Sequence, residues 1–202
     1  MRIESYATVV SAIVERPPRL GATRLVAVDG RSGSGKSTFA RRLAERVSAA
    51  GHVVAIVHTD DLLIGWEHPL EVGPRLSSAV LGPISRGEAA RFRAYDWERG
   101  EMADDFVSVD PPDILIMEGV SSARREWNPL LTFNVFIYAD ANAALGRVLD
   151  RDGMDVRDRM TVWQSQEDGY FADDDPRSRA DRVVDGVSSL PPDAVDGMVL
   201  LG

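Results

Sequence analysis

Short, uninterrupted apolar runs recur along this chain, and each predicts a β-strand that is buried on both faces. The strongest runs cover residues 24–29, 53–57, 113–117 and 133–138. Two weaker runs predict a last short strand over residues 182–185 and an edge strand over residues 198–201. Strands that are apolar on both faces are typical of a parallel sheet, because helices cover both sides of such a sheet.

Between these runs, apolar residues recur at the spacing of one face of an α-helix. Pro17 and Pro18 follow the first helical run, and Pro176 follows the last. The predicted helices cover residues 5–16, 36–50, 141–152 and 156–171. The alternation of strands and helices predicts an α/β fold, a three-layer α/β/α sandwich around a mostly parallel sheet of about five strands.

The length of 202 residues suits a single domain. We expect the helix within residues 1–20 to be peripheral to this domain. Residues 62–106 form an insertion between the second and third strands that is too long for a plain crossover. Because long insertions in compact domains are usually functional, we expect this one to bind the substrate.

Charge and composition narrow the class of ligand. The chain has 23 Lys and Arg against 32 Asp and Glu, a net charge of −9, which argues against binding to nucleic acid or to an anionic membrane surface. It has no cysteine, which excludes disulfides and thiolate metal sites. No apolar run is long enough for a membrane span, and the first residues do not resemble a secretory signal, so we expect a cytoplasmic protein that acts on small molecules.

Residues 30–37 carry the chemistry that is easiest to interpret. They match the pattern G-x-x-x-x-G-K-[ST], with a predicted strand before and a predicted helix after. Its glycines let backbone N–H groups surround phosphate oxygens, and Lys36, the only lysine of the chain, would reach the β- and γ-phosphates of ATP. The predicted nucleotide-binding residues are Gly30, Ser32, Gly33, Ser34, Gly35, Lys36, Ser37 and Thr38.

Carboxylates follow the second and third predicted strands. Asp60 and Asp61 come after the second strand and Glu118 ends the third, so all three should lie near the phosphates. We expect Ser37, Glu118 and Asp60 to hold Mg²⁺, and Asp60 to accept the proton of an attacking hydroxyl. The alternative for the Asp pair is that it only caps the segment that follows.

These motifs together resemble the group of P-loop kinases that contains uridine kinase, phosphoribulokinase and nicotinamide riboside kinase. The resemblance spans residues 26–186 and includes the P-loop, the stretches 59–62, 95–97 and 117–120, and an arginine-rich region. It implies the fold of P-loop NTPases, Asp60 as the base and a helical lid over residues 147–176. It further implies catalytic Arg151 and Arg157, with the substrate-binding residues Asp61, Trp66, Tyr95, Asp96 and Arg147.

The chain departs from this group at two places. Residues 62–65 are not aromatic where uridine kinases usually have aromatic residues, and no histidine follows Trp97. Three structural alternatives stay open. The lid arginines could form a solvated helix face, and Trp163, Tyr170 and Phe171 could form a helical core stripe. Glu67, a candidate contact to the substrate, could be only a loop residue.

The sequence therefore predicts an ATP- and Mg²⁺-dependent phosphotransferase that moves the γ-phosphoryl group to a hydroxyl of a small molecule. The alternative is a P-loop ATPase or nucleotide-dependent switch without an acceptor. The identity of the acceptor and the oligomeric state are not predicted.

Overall fold

The computed structural model describes residues 2–66, 70–187 and 196–201. Its strands, in chain order, are β1 (Arg2–Ser5), β2 (Arg24–Asp29), β3 (Val54–His58), β4 (Ala90–Phe92), β5 (Tyr95–Asp96), β6 (Glu101–Met102), β7 (Val107–Val109), β8 (Ile114–Glu118), β9 (Leu131–Tyr138), β10 (Arg182–Asp185) and β11 (Gly197–Leu200). Its α-helices are α1 (Tyr6–Val14), α2 (Lys36–Ala49), α3 (Gly73–Leu76), α4 (Gly82–Ser85), α5 (Ala141–Asp152) and α6 (Arg157–Asp174).

Seven strands form the central sheet in the order β1-β11-β10-β9-β2-β8-β3. The five strands from β10 to β3 are parallel, as predicted, and β11 and then β1 extend one edge of the sheet through antiparallel pairings. No apolar run marks β1, because two of its four residues are exposed. The chain turns from β1 into α1 at Ser5, whose hydroxyl accepts a hydrogen bond from the backbone N–H of Thr8.

Both faces of the sheet are covered by apolar packing, with β2 at its centre. Val26 and Val28 pack with α1 and α2 on one face. Leu25 and Ala27 pack with the insertion, α5 and α6 on the other face. The carboxyl ends of β2, β3 and β8 meet at one edge of the sheet, which is where a ligand binds in folds of this kind.

The predicted insertion folds into a helical segment followed by two small hairpins. A short π-helical stretch, Ser77–Leu81, joins α3 to α4 into one segment. β4 pairs with β7, and the shorter hairpin of β5 and β6 lies between them in sequence. Among the residues described, no helix is both long and apolar enough to cross a membrane.

Candidate functional site

The loop between β2 and α2 has the geometry of a phosphate-binding loop. Gly33 has φ of 78°, and a Cβ atom there would lie 2.2 Å from the carbonyl oxygen of Ala144 on α5. Only glycine fits this position, because α5 packs directly onto the loop. No side chain caps the N-terminus of α2, which begins at Lys36, so its first N–H groups remain available to an anion.

A cleft of about 500 Å³ opens over this loop. The predicted nucleotide-binding residues that line it are Ser32, Gly33, Gly35, Lys36, Ser37 and Thr38. Gly30 and the fully buried Ser34 shape the loop without lining the cleft. The cleft is also lined by residues of β10 and β11, among them Val184 and Met198.

Lys36 reaches across the loop from the first turn of α2. Its side chain is almost completely buried, and Nζ donates a hydrogen bond to the backbone oxygen of Arg31 at 3.1 Å. The positive charge of Lys36 favours the ionised form of two carboxyl groups in the cleft, Asp60 and Glu118. The ammonium group therefore lies against the P-loop, and its contact with the β- and γ-phosphates stays a prediction.

Ser37 and Glu118 form an oxygen pair that suits Mg²⁺. The Ser37 hydroxyl donates to Glu118 Oε1 at 3.2 Å, and His58 Nδ1 lies 2.5 Å from Oε2. Burial raises the pKa of Glu118, but hydrogen bonds from His58 and Ser37 and the charge of Lys36 outweigh it, so the carboxyl group is ionised. A hydroxyl and one or two carboxylates, completed by phosphate oxygens, are the ligands that Mg²⁺ prefers in nucleotide sites.

The described residues contain no group of three or more His, Asp or Glu side chains that could hold a metal ion by themselves. A magnesium ion at Ser37 and Glu118 would thus depend on the phosphates of a nucleotide for further ligands. Asp60, the third predicted ligand, lines the same cleft.

The two aspartates after β3 occupy different places. They belong to a 3₁₀ helix, Thr59–Leu62. Asp60 lines the P-loop cleft and also a second cleft beside it, whereas Asp61 lines neither. The Asp60 side chain is exposed to the clefts, and the protein around it raises its pKa by desolvation, with Lys36 opposing and Glu118 adding to the shift. A carboxyl group with a raised pKa at the junction of two clefts suits a general base.

The second cleft, of about 540 Å³, is walled by three tryptophans. Trp66 lies edge-on to Trp97 and to Trp163, with ring centroids 5.2 and 5.4 Å apart. The remaining lining residues are Ser32, Asp60, Glu98, Val148, Arg151, Asp152, Val156 and Met160. We call this the tryptophan cleft; it meets the P-loop cleft at Ser32, Asp60, Val148 and Arg151.

The three predicted lid arginines differ in position. Arg151 lines both clefts and forms an ion pair with Asp152. Arg147 lines the P-loop cleft and donates hydrogen bonds to the backbone oxygens of Gly33 and Gly186, so it fastens α5 to the loop. Arg157 lines neither cleft, and its role in catalysis stays a prediction.

Tyr95 and Asp96, predicted to contact the substrate, do not line the tryptophan cleft but contact residues that do. The Tyr95 ring lies edge-on to Trp97, with centroids 5.0 Å apart. Asp96 Oδ1 accepts hydrogen bonds from the backbone N–H groups of Glu98 and Arg99, each 3.0 Å long. Both residues thus shape the hairpin that carries Trp97 and Glu98. Glu67, the other candidate, lies outside the described residues.

Two buried carboxylates behind the P-loop were missed by the sequence reasoning. Asp29 ends β2, and Glu167 lies on the inner face of α6; both are fully buried. The signal that could have found Glu167 is its position, four residues after Trp163 and three before Tyr170, on the helix face that was predicted to be apolar.

The chain is similar in sequence to curated uridine kinases. The uridine kinase of Halobacterium salinarum is 24% identical over 138 residues, which span 63% of this chain and 61% of that protein. The uridine kinase of Staphylococcus aureus is 28% identical over 166 residues, 75% of this chain and 77% of that protein. No family model matches the chain.

The solved structure of a possible uridine kinase from Bacillus stearothermophilus superposes with a TM-score of 0.68. It is 21% identical, and the match covers 88% of this chain and 96% of that one. The chain is uridine kinase-like in sequence and has the P-loop kinase fold. The predicted resemblance and the predicted fold class are therefore confirmed, and these relatives support a kinase.

Proposed function

We propose that the protein transfers the γ-phosphoryl group of ATP to a hydroxyl group of a small molecule. The observation that carries this proposal is the junction of the two clefts. Asp60 and Arg151 line both of them, so a nucleotide on the P-loop and an acceptor in the tryptophan cleft would meet at a carboxylate and a guanidinium. An ATPase or switch that phosphorylates nothing needs no second cleft at this position.

The residues at the junction match the steps of the reaction. The acceptor oxygen attacks the γ-phosphorus, its proton passes to Asp60, and the bond from the γ-phosphorus to the bridging oxygen breaks to release ADP. Lys36 and Arg151 stabilise the charge that develops on the phosphoryl oxygens. Mg²⁺ bound by Ser37 and Glu118 would neutralise charge on the β- and γ-phosphates.

The charges of the tryptophan cleft limit the class of acceptor. Among the described residues that line the cleft, Asp60, Glu98 and Asp152 contribute three carboxyl groups, and Arg151, which already pairs with Asp152, contributes one guanidinium. An acceptor with its own phosphate or carboxylate would be repelled. We propose an acceptor without net negative charge that places a planar or apolar group against the tryptophans.

Shape supports the same class, because three indole rings form much of the wall of a cleft of about 540 Å³. A nucleoside-like molecule fits a cavity of this size and offers both a flat ring and a primary hydroxyl. A cytoplasmic location is part of this proposal, since the reaction consumes ATP.

ADP release, measured with a coupled assay, tests the proposal. Purified protein with Mg·ATP would be supplied with separate pools of neutral alcohols such as nucleosides, cationic alcohols, and alcohols that carry a carboxylate or phosphate. Turnover that requires a neutral or cationic acceptor supports the proposal. Turnover that is equal without any acceptor would instead identify an ATPase, and turnover with an anionic pool alone would refute the acceptor class.

Two neighbouring aspartates provide a matched pair of variants. Asp60→Asn should lower phosphoryl transfer by about 10² or more, the scale of general-base catalysis, with little change in the affinity for nucleotide. Asp61→Asn should stay within about threefold of the wild-type rate, because Asp61 lines neither cleft. Equal losses in both variants would remove Asp60 from the proposed role.

A further inference from the structure

Glu167 is a buried carboxylate that the proposed reaction does not use. It lies on α6 with no exposed surface and lines neither cleft. Burying a carboxylate is costly unless hydrogen bonds compensate for the lost water. Its partners therefore show what this position is for.

One oxygen of Glu167 joins the P-loop to the wall of the tryptophan cleft. Oε1 accepts hydrogen bonds from the backbone N–H of Ser32 at 2.9 Å and from its hydroxyl at 2.6 Å. The same oxygen accepts a hydrogen bond from Trp163 Nε1 at 3.0 Å. Ser32 lines both clefts and Trp163 forms part of the tryptophan cleft, so the two ligand positions share a single hydrogen-bonding atom.

The connection is stiff on the side of α6. Trp163 and Glu167 are four residues apart on one helix, which places them on the same face. The next turn adds two links: Asp168 pairs with Arg31 of the P-loop at 2.8 Å, and the Tyr170 hydroxyl donates at 2.7 Å to Asp29, which ends β2 just before the P-loop. A displacement of α6 would therefore move the P-loop with it.

The second oxygen of Glu167 leaves room for a closer contact with Arg31 of the P-loop. Glu167 Oε2 lies 3.8 Å from Arg31 Nη1, and both atoms are buried without a hydrogen-bond partner among the described residues. A shift of about 1 Å would bring them to hydrogen-bonding distance. A small adjustment of these two side chains, with α6 and the P-loop kept together, would thus form a hydrogen bond that this conformation lacks.

We infer that Glu167 is a positioning residue that couples occupancy of the tryptophan cleft to the geometry of the P-loop. The inference rests on the proposed function, because it assigns the two clefts to acceptor and nucleotide. Coupling of this kind is reciprocal: an acceptor against Trp163 would tighten nucleotide binding, and nucleotide on the P-loop would change the surroundings of Trp163.

Tryptophan emission tests this coupling without knowledge of the acceptor. Trp66, Trp97 and Trp163 line the tryptophan cleft, whereas Trp127 is buried elsewhere. The wild-type chain would be titrated with AMP-PNP and Mg²⁺, with binding measured independently by calorimetry. We expect the analogue to change the emission, and Trp163→Phe to remove most of the change.

Variants of the carboxylate separate coupling from simple packing. Glu167→Leu removes the accepting oxygen, and we expect it to weaken binding of AMP-PNP by about fivefold or more and to abolish the emission change. Glu167→Gln keeps an accepting oxygen and should restore most of both. Trp163→Phe should weaken binding of the analogue by about threefold, although Trp163 does not line the P-loop cleft, and Trp127→Phe should not weaken it.

The outcomes distinguish this inference from the function on which it rests. If the wild-type chain binds AMP-PNP without any change in emission, or if Glu167→Leu behaves as wild type, the coupling is refuted and the proposed function stands. If Glu167→Leu does not fold, an unchanged affinity of Trp163→Phe refutes the coupling by itself. If the wild-type chain does not bind AMP-PNP, the proposed function and the inference are both refuted.

Discussion

The hydrogen bond between Tyr170 and Asp29 offers a quantitative test of how α6 is fastened to the P-loop. The Tyr170 hydroxyl donates to Asp29 Oδ2 at 2.7 Å, and the same oxygen accepts from the backbone N–H of Ala123 at 2.9 Å. Asp29 Oδ1 accepts from Gly30 and Ser121. Replacing Tyr170 by Phe removes one of these four donors and leaves the others in place.

The pH dependence of the contribution that Asp29 makes to stability follows from its burial. Burial raises its pKa from 3.8 to about 6, although the donors from Ala123, Tyr170 and Gly30 lower it. Because the folded state then binds the proton more tightly than the unfolded state, this group makes stability fall as the pH rises from about 4 to about 6. The shift of roughly two pKa units corresponds to about 3 kcal/mol.

Above pH 6 the carboxylate is ionised, and the Tyr170 hydroxyl is then a donor to a charge. Loss of such a bond costs about 2 kcal/mol, whereas loss of a bond to the protonated acid costs about 1 kcal/mol. Tyr170→Phe should therefore lower the free energy of unfolding by about 2 kcal/mol at pH 8 and by about 1 kcal/mol at pH 5.5.

Urea denaturation followed by circular dichroism at the two pH values measures this difference. Tyr138→Phe is the matched control, because Tyr138 is exposed and should show no loss at either pH. The reasoning is refuted if Tyr170→Phe is equally destabilising at pH 5.5 and pH 8, since the ionisation of Asp29 would then have no part in the effect.

Three further predictions concern the nucleotide cleft. Lys36→Arg should weaken binding of Mg·AMP-PNP by about tenfold or more in calorimetry, because a planar guanidinium does not fit where Nζ contacts the backbone of Arg31; wild-type affinity would contradict this. Gly33→Ala should lower the thermal midpoint by several degrees, since its Cβ would meet the oxygen of Ala144, whereas Gly146→Ala, with open space around it, should not. Removal of Mg²⁺ with EDTA should weaken ATP binding, and equal affinity with and without EDTA would contradict a metal at the phosphates.

The parts of the site that could be predicted are those that one stretch of sequence determines. The P-loop combines a strand, a glycine-rich turn and a helix within residues 24–50, so its geometry follows from local pattern. Asp60 and Glu118 were predicted because parallel strands end at a common edge. In both cases the side chains lie where a general rule of the fold places them.

The tryptophan cleft could not be predicted in the same way. Trp66, Trp97 and Trp163 are far apart in sequence, and they meet only because the insertion and α6 pack against each other. Helical spacing predicted Trp163 as a core residue, and the structure does bury it, but the same ring also forms a cleft wall. Helical periodicity predicts that a side chain faces the interior, but it does not predict whether that side chain also forms the wall of a cleft.

The sequence did not predict β1, the seventh strand of the sheet, for a related reason. β1 lies at an edge, where one neighbour and a half-exposed surface replace the apolar burial that marks a central strand. Its pairing partner β11 is almost 200 residues away, so no local pattern links the two.

The division of the site between local and distant segments has a consequence for specificity. The residues that would act on the phosphoryl group belong to the P-loop, to the ends of β3 and β8, and to α5. The residues that would select the acceptor come from the insertion and from the first turns of α6. Within the insertion, Trp97 and Glu98 lie on one small hairpin. Substitutions in that hairpin should change which acceptor is used while leaving nucleotide affinity intact, and a variant of Glu98 that accepts an anionic alcohol would show that charge in this cleft decides the choice.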